Sequence, residues 1–165
     1  MKIFVAALIC ILLIVTYRLY QHRRPTPKEE AKTTDDFIQS LSAEAVKDAD
    51  ANNQIKLDYN VDSIKKVEQI LGKLHEKYEK SQSSISVTGL SAAYGAYIGE
   101  VIRKTEPGVH WERDSVSGEK LYSLRWNKVE VYPMNWCEKR IVDGEDDDVW
   151  MKYVAFKSMQ KKGGS

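Results

Sequence analysis

The chain has 165 residues, of which 42% are hydrophobic and 30% are charged, and its formal net charge is +1. Lys2 and Arg18 are the only charged residues among the first 20 positions, whereas charged residues occur throughout the rest of the chain, which excludes a protein that crosses a membrane several times. Nine glycines and four prolines are too few for a collagen-like or Gly/Pro-rich disordered chain, so most of the sequence is expected to fold around a core.

An apolar segment begins the sequence. Residues 3–17 carry no charge, and Arg18 is the first charged residue after them. At about 1.5 Å per residue a helix over residues 3–20 spans about 27 Å, near the roughly 30 Å hydrocarbon core, if Arg18 reaches the headgroups. A signal peptide requires a cleavage site of small residues after its apolar segment, and no such site follows this one. Residues 1–20 are therefore predicted to be a transmembrane anchor, and a cleaved signal peptide is the alternative.

Basic residues are concentrated after this anchor. Lys2 precedes it, and five follow within about 15 residues: Arg18, Arg23, Arg24, Lys28 and Lys32. Basic flanks favour the cytoplasmic side, which predicts a single-pass inner-membrane protein with a cytoplasmic domain and leaves a periplasmic domain open. Residues 21–33, with two prolines, are predicted to be an extended tether, residues 34–159 a single domain, and residues 160–165 a flexible tail.

The predicted domain is acidic. Residues 34–159 contain 17 basic and 22 acidic side chains, a net charge of −5. Nucleic acid requires a basic surface, so DNA and RNA are excluded as main partners.

Three helices are predicted in the first part of the domain. Thr34 is the candidate N-cap of the first helix, which ends near residues 50–53. The second begins at Asp62 or Ser63, and the third covers residues 87–104. The side of the second helix that includes Glu68 and Glu76 is expected to be solvated. The residues expected to face inward are Phe37, Ile38, Leu41, Ala45, Val46, Ile64, Val67, Ile70, Leu71, Leu74, Tyr78, Leu90, Tyr94, Tyr97, Ile98 and Val101.

Gly95 and Gly99 interrupt the third helix. Each destabilises a helix interior by about 1 kcal/mol relative to alanine, so a close neighbour is expected at both positions.

After residue 108 the pattern changes to short β-branched and aromatic runs at residues 109–114, 121–126 and 128–132, which predicts a three-stranded antiparallel meander. A short helix over residues 136–141 and a closing helix over residues 146–159 follow, with Val149, Tyr153, Val154 and Phe156 inward. The predicted fold class is α+β: a transmembrane helix, then helices packed on a three-stranded antiparallel sheet in the order ααα-βββ-α.

Several motifs then resemble a family of small uncharacterised bacterial domains. The matching stretches are YGAYIGEVI at residues 94–102, GVHWERD at 108–114, VEVYP at 129–133, EKRIVDGE at 138–145 and LDYNVDSIKKVEQIL at 57–71. The resemblance covers residues 56–157. It implies an immunity-type or accessory protein and supplies no catalytic residues.

Glu100 lies at the edge of the apolar stripe of the third helix. A half-buried carboxylate requires a partner, and a structural ion pair with Arg140 or Arg125 is expected, with Arg140 preferred. The functional alternative is that Glu100 acts as a general base.

Neither a metal nor another cofactor is expected. The three histidines, His22, His75 and His110, are dispersed and show no zinc-ligand spacing. Cys137, beside Trp136, is expected to be a packed small side chain rather than a nucleophile.

The densest charge run is DGEDDD at residues 143–148. It does not match a calcium loop, and acids at the start of the closing helix would favour its macrodipole. The functional interpretation is an acidic surface that docks on a basic partner, with aromatic side chains as anchors. The predicted partner-binding residues are Asp143, Glu145, Asp146, Asp147, Asp148, Trp150 and Trp111.

The leading functional hypothesis is a membrane-anchored bacterial immunity-type protein that neutralises a toxin or related protein partner by surface occlusion. It rests on the resemblance, the net acidity and the absence of a catalytic motif in the sequence. The alternative is an envelope-associated structural or adaptor protein without a toxin partner. An enzyme that uses Glu100 is the third hypothesis.

Overall fold

The computed structural model describes residues 27–81, 85–114 and 121–162. The chain divides into two compact units, residues 1–33 and residues 34–165. The predicted anchor, residues 1–20, lies outside the described residues, as do residues 21–26 of the tether and residues 163–165 of the tail. Within the described ranges, none of the helices combines the length and the apolar character needed to cross a bilayer.

The first helix, α1, covers Pro27–Asn53. It begins seven residues before Thr34, whose side chain is buried, so the prediction of Thr34 as N-cap is wrong. Proline fits the first helical turn, because its ring fixes φ near the helical value and its missing N–H is not needed there. The lysines, glutamates and alanine that follow it are good helix formers, so residues 27–33 are helical rather than extended.

The inward face of α1 consists of Ile38, Ser42, Ala45 and Ala49, which follow one another at helical spacing. The hydroxyl of the buried Ser42 is satisfied, because it donates a hydrogen bond of 2.9 Å to the Tyr59 hydroxyl. Phe37 was expected inward, but it is 45% exposed. It lies one residue, or about 100°, from the centre of the buried face.

Helix α2 covers Ser63–Lys80 and helix α3 covers Val87–Thr105, as predicted within one or two residues. The inward stripe of α2 is confirmed from Ile64 to Leu74. In α3 every residue from Ala93 to Ile102 is buried. A helix that is buried on all sides is covered by more than one neighbour, which makes α3 the central helix of the domain.

The two glycines of α3 are the points of closest approach. A Cβ atom on Gly95 would overlap the backbone of Pro133 and Met134, and one on Gly99 would overlap the rings of Trp111 and a methyl group of Leu124. The expectation of a close neighbour at both positions is confirmed.

The sheet has the strand order β1-β2-β3, with β1 at His110–Asp114, β2 at Leu121–Trp126 and β3 at Val129–Val131. Both pairings are antiparallel, so the predicted meander is confirmed. Trp111 lies opposite Leu124, and this buried pair faces Gly99 of α3. The contact packs the sheet against the central helix.

Helix α4 covers Pro133–Val142, a short 3-10 helix covers Glu145–Asp147, and helix α5 covers Val149–Lys162. The predicted closing helix therefore begins three residues later than expected. Val149, Tyr153 and Phe156 are buried as predicted, but Val154 is 40% exposed. The structure is α+β, with five α-helices and a three-stranded antiparallel sheet in its described part.

Candidate functional site

The acidic turn, residues 143–148, connects α4 to α5. Gly144 has φ 97° and ψ −153°, a region that only glycine adopts without strain. A Cβ atom there would also lie 2.9 Å from Nε2 of His75. The backbone conformation and the nearby His75 ring therefore each require glycine at this position.

Glu68 of α2 holds both ends of the acidic turn, an arrangement called here the Glu68 clamp. Its Oε1 accepts a hydrogen bond of 2.5 Å from Nε of Arg140 in α4. Its Oε2 accepts a hydrogen bond of 2.9 Å from the backbone N–H of Val149, the first residue of α5. One carboxylate therefore connects three helices.

The clamp lies in a poorly solvated environment. Burial raises the pKa of Glu68, and this effect exceeds the opposing influence of the bonds from Arg140 and Val149. Arg140 is 8% exposed, and its buried Nη1 has no hydrogen-bond partner among the described residues. Arg140 therefore depends on Glu68 for its charge compensation.

His75 of α2 makes a further contact with the chain just before the acidic turn. Its Nδ1 lies 2.9 Å from the carbonyl oxygen of Ile141, near the end of α4. Glu68, Gly72 and His75 share one flank of α2, at spacings of four and three residues. A cleft of about 430 Å³ lies beside this flank and is lined by Gly72, His75, Glu76, Arg140 and residues 143–146 of the acidic turn.

The acids of the turn have two different roles. Asp148 caps α5 by accepting from the N–H of Met151 at 2.8 Å, and Asp147 pairs with Lys152. Asp143, Glu145 and Asp146 are exposed and have no side-chain hydrogen bond or ion pair to another described residue. These three carboxylates are called here the free carboxylates of the turn.

The two tryptophans predicted as anchors differ. Trp111 is 6% exposed, so its prediction as a partner-binding residue is wrong: its ring fills the space beside Gly99. Trp150 is half-buried next to the acidic turn. The Nζ of Lys65 lies 4.4 Å from its ring centroid, and the ring of Tyr153 lies 5.5 Å away. Trp150 therefore packs against Lys65 and Tyr153 and remains partly accessible to solvent.

The predicted ion pair between Glu100 and Arg140 is wrong. Glu100 instead accepts two hydrogen bonds of 2.8 Å from Arg103, three residues later in α3, and one of 2.9 Å from Nε1 of Trp111. Arg125, the other candidate, pairs with Glu112 and Glu130 on the sheet. The Glu100 junction, meaning Glu100, Arg103 and Trp111, connects α3 to β1.

The Glu100 carboxylate is a weak base in this setting. Burial alone would raise its pKa, but the hydrogen bonds from Arg103 and Trp111, with the charges of Arg103 and Lys104, together hold the pKa below its usual range. A second cleft, of about 300 Å³, lies beside it and is lined by Gln39, Ser42, Tyr59, Glu100, Arg103 and Lys104.

The remaining candidates are separated from one another. Cys137 is completely buried, and burial raises the pKa of its thiol, which keeps it protonated and unreactive. His110 is exposed on β1, with its Nε2 3.2 Å from Glu112, and His22 lies outside the described residues. Across the described ranges, no three His, Cys, Asp or Glu side chains converge in a metal-binding geometry.

Sequence reasoning missed Glu68, which it placed on the solvated side of α2. A signal was present, because Glu68 is about 40° from Ile64 and about 60° from Leu71 around the helix, at the edge of the buried stripe.

Comparisons with protein-family models, curated proteins and solved structures give no match for this chain.

Proposed function

We propose that this protein is held at the inner membrane by residues 1–20 and acts by contact, binding a basic protein partner through its acidic turn and blocking that partner's surface, as an immunity protein does. The domain is then cytoplasmic, in keeping with the basic residues that follow the anchor.

The observation that carries the proposal is that the free carboxylates, Asp143, Glu145 and Asp146, lie on a restrained segment of backbone. Their backbone is restrained by the Glu68 clamp, by Gly144 and by the cap of α5. Fixed charges lose little conformational freedom on binding, and exposed charges of one sign favour association with a surface of the other sign. Trp150 adds an aromatic contact at the same edge.

The state of Glu100 also supports binding over catalysis. A general base needs a lone pair free for a substrate proton and a pKa near the working pH. Both oxygens of Glu100 already accept hydrogen bonds, and its pKa is lowered. The junction is therefore better suited to connecting α3 to the sheet.

The test is a triple charge reversal of the free carboxylates, Asp143→Lys, Glu145→Lys and Asp146→Lys, in the full chain extracted from the membrane fraction. The control reverses three exposed acids elsewhere, Asp36, Asp50 and Glu79, and so changes the net charge by the same amount. Binding is measured by co-purification and titration with the product of the neighbouring gene.

Reversal in the acidic turn is expected to weaken binding at least about tenfold, and the control should bind nearly as the unmodified protein does. Equal binding by the two triple variants contradicts the proposal. Recovery of a shortened protein in the soluble fraction contradicts the anchor.

A further inference from the structure

The cleft of about 300 Å³ beside the Glu100 junction shares no lining residue with the cleft at the acidic turn. Two cations, Arg103 and Lys104, and one carboxylate, Glu100, line it, so its lining charge is positive although the domain is acidic. Asp35, whose negative charge also acts on Arg103, does not line it. A positively charged concave site favours a small anion as its ligand.

The hydrogen-bonding groups that remain unused in this cleft are mostly donors. Both oxygens of Glu100 already accept hydrogen bonds, from Arg103 and Trp111. Arg103 uses Nε and Nη2 for these bonds, and its Nη1 has no hydrogen-bond partner among the described residues. The Lys104 ammonium group has no hydrogen bond or ion pair to a described residue either, and its Nζ lies 3.6 Å from the centroid of the Tyr59 ring. A ligand made of acceptors fits such a set.

Tyr59 adds a hydroxyl group whose position is fixed. Its oxygen accepts a hydrogen bond of 2.9 Å from Ser42, so its own hydrogen is available to a ligand. Its backbone N–H donates to the Tyr97 hydroxyl at 2.8 Å, and the two rings lie 4.7 Å apart. These contacts hold Tyr59 at φ 58°, in the left-handed region that a bulky residue adopts only when its surroundings impose it. Strained residues of this kind are concentrated at ligand-binding sites.

The arrangement of the donors favours a phosphate group over a carboxylate. The planar fork of an arginine matches a carboxylate, and the fork formed by Nε and Nη2 of Arg103 is already occupied by Glu100. The other donors are single groups on three segments: α1 supplies Gln39, the segment before α2 supplies Tyr59, and α3 supplies Lys104. A phosphate group accepts hydrogen bonds in several directions, and lysine binds it as a point charge.

We propose that this cleft binds a phosphate group, with Lys104 and Arg103 supplying positive charge and Tyr59 and Gln39 supplying hydrogen bonds. Its volume lies at the small end of ligand pockets, which suits a small phosphate ester or a phospholipid headgroup. The site contains none of the free carboxylates, so phosphate binding neither requires nor supplies the partner binding proposed above.

The test is a calorimetric titration of the full chain, in a nonionic detergent, with glycerol 3-phosphate and with glycerol as the uncharged control ligand. Lys104→Gln removes a cation, and Gln39→Glu introduces a carboxylate at nearly constant size. The matched controls are Lys73→Gln and Gln69→Glu, at exposed positions of α2 outside the cleft. All four side chains are exposed, so the fold stays intact, which the thermal midpoint verifies.

The unmodified protein is expected to bind glycerol 3-phosphate and not glycerol. Lys104→Gln should weaken this binding about fivefold, because an attractive charge is lost, and Gln39→Glu should weaken it at least about tenfold, because a repulsive charge is added. The two controls should bind as the unmodified protein does. Equal affinities for the cleft variants and their controls overturn the proposal.

The source of the phosphate group is distinguished with the full chain in nanodiscs of phosphatidylcholine alone or of an equal mixture with phosphatidylglycerol. If the ligand is an anionic headgroup, phosphatidylglycerol should raise the thermal midpoint of the unmodified protein and of Gln69→Glu, but not that of Gln39→Glu. If the ligand is a free ester, the lipid mixture should affect all three proteins equally, and glycerol 3-phosphate should still bind. Absence of both the headgroup effect and the binding of glycerol 3-phosphate overturns the proposal.

Discussion

The Glu68 clamp and the Glu100 junction contain the same kinds of chemical group, but the pKa of the glutamate shifts in opposite directions. In both, a largely buried glutamate accepts hydrogen bonds from an arginine and from an N–H group on another element. Yet the pKa of Glu68 is raised, whereas that of Glu100 is lowered. Burial is the largest influence at both sites, so the opposing influences decide the direction of the shift. Glu100 accepts two hydrogen bonds from Arg103 and lies near the positive charge of Lys104, whereas Glu68 accepts one from Arg140 and lies near the negative charge of Asp148.

The arginines explain this contrast. Arg103 makes two hydrogen bonds to Glu100 from the next turn of the same helix, and 30% of its side chain is exposed. Arg140 makes one hydrogen bond of 2.5 Å to Glu68 across 72 positions of sequence, and only 10% of its side chain is exposed. The junction is a local pair that supports the sheet, whereas the clamp is a long-range connection that positions the acidic turn.

The largest expected difference concerns loss of the carboxylate. Glu68→Ala leaves Arg140 buried and unpaired and should lower the free energy of unfolding by about 3–5 kcal/mol. Glu100→Ala should lower it by only about 1–3 kcal/mol, because Arg103 can turn to water and the main loss is the hydrogen bond from Trp111. Urea titration of the full chain in detergent micelles measures both values. The contrast fails if Glu100→Ala is the more damaging change.

A smaller effect is expected at Gly144. Gly144→Ala should lower the free energy of unfolding by about 1–3 kcal/mol, because it forces a side chain into a glycine-only conformation beside His75. It should also weaken partner binding, because it displaces the acidic turn. Gly108→Ala is the control: it also has a positive φ, but a Cβ atom there meets nothing closer than 3.9 Å. If both variants bind the partner equally well, the geometry of the turn does not matter.

The smallest effect is expected on the pH dependence of stability, to which the two glutamates contribute on opposite sides of the ordinary glutamate pKa. The stabilisation that comes from Glu68 is complete below the ordinary glutamate value of 4.5 and is lost as the pH rises through its raised folded pKa. The stabilisation that comes from Glu100 is complete above that value and is lost as the pH falls through its lowered folded pKa.

Glu68→Gln should therefore lose less stability than the unmodified protein as the pH rises above 4.5, and Glu100→Gln should lose less as the pH falls below it. Thermal midpoints between about pH 3 and pH 7 measure both slopes. Identical slopes for the two variants would show that the opposite pKa shifts have no effect on folding.

Periodicity in the sequence was sufficient for most of the fold. The helices α2 and α3, the three strands and the close approach at Gly95 and Gly99 were all predicted, because each depends on the spacing of apolar residues or on a missing side chain. The start of α1 was placed too late, because Thr34 resembles a cap while Pro27 can begin a helix just as well.

The candidate site was predicted only in part. The charge run that forms the acidic turn is visible in the sequence, but the group that fixes it is not. Glu68 belongs to the edge of an otherwise charged helix flank, and Arg140 follows it 72 residues later. Trp111 was predicted to be an aromatic anchor of a binding surface. An aromatic residue in a strand can face either side of the sheet, and the close approach of Gly99 decides that Trp111 faces inward.

The sequence by itself determined the type and order of the elements, the inward faces of α2 and α3 and the acidic character of the domain, because these follow from local spacing and composition. Only the tertiary structure decided which charges are paired and which remain free. Every acid has several possible basic partners along the chain, and only the packed helices determine that Glu68 meets Arg140 while Asp143, Glu145 and Asp146 remain exposed.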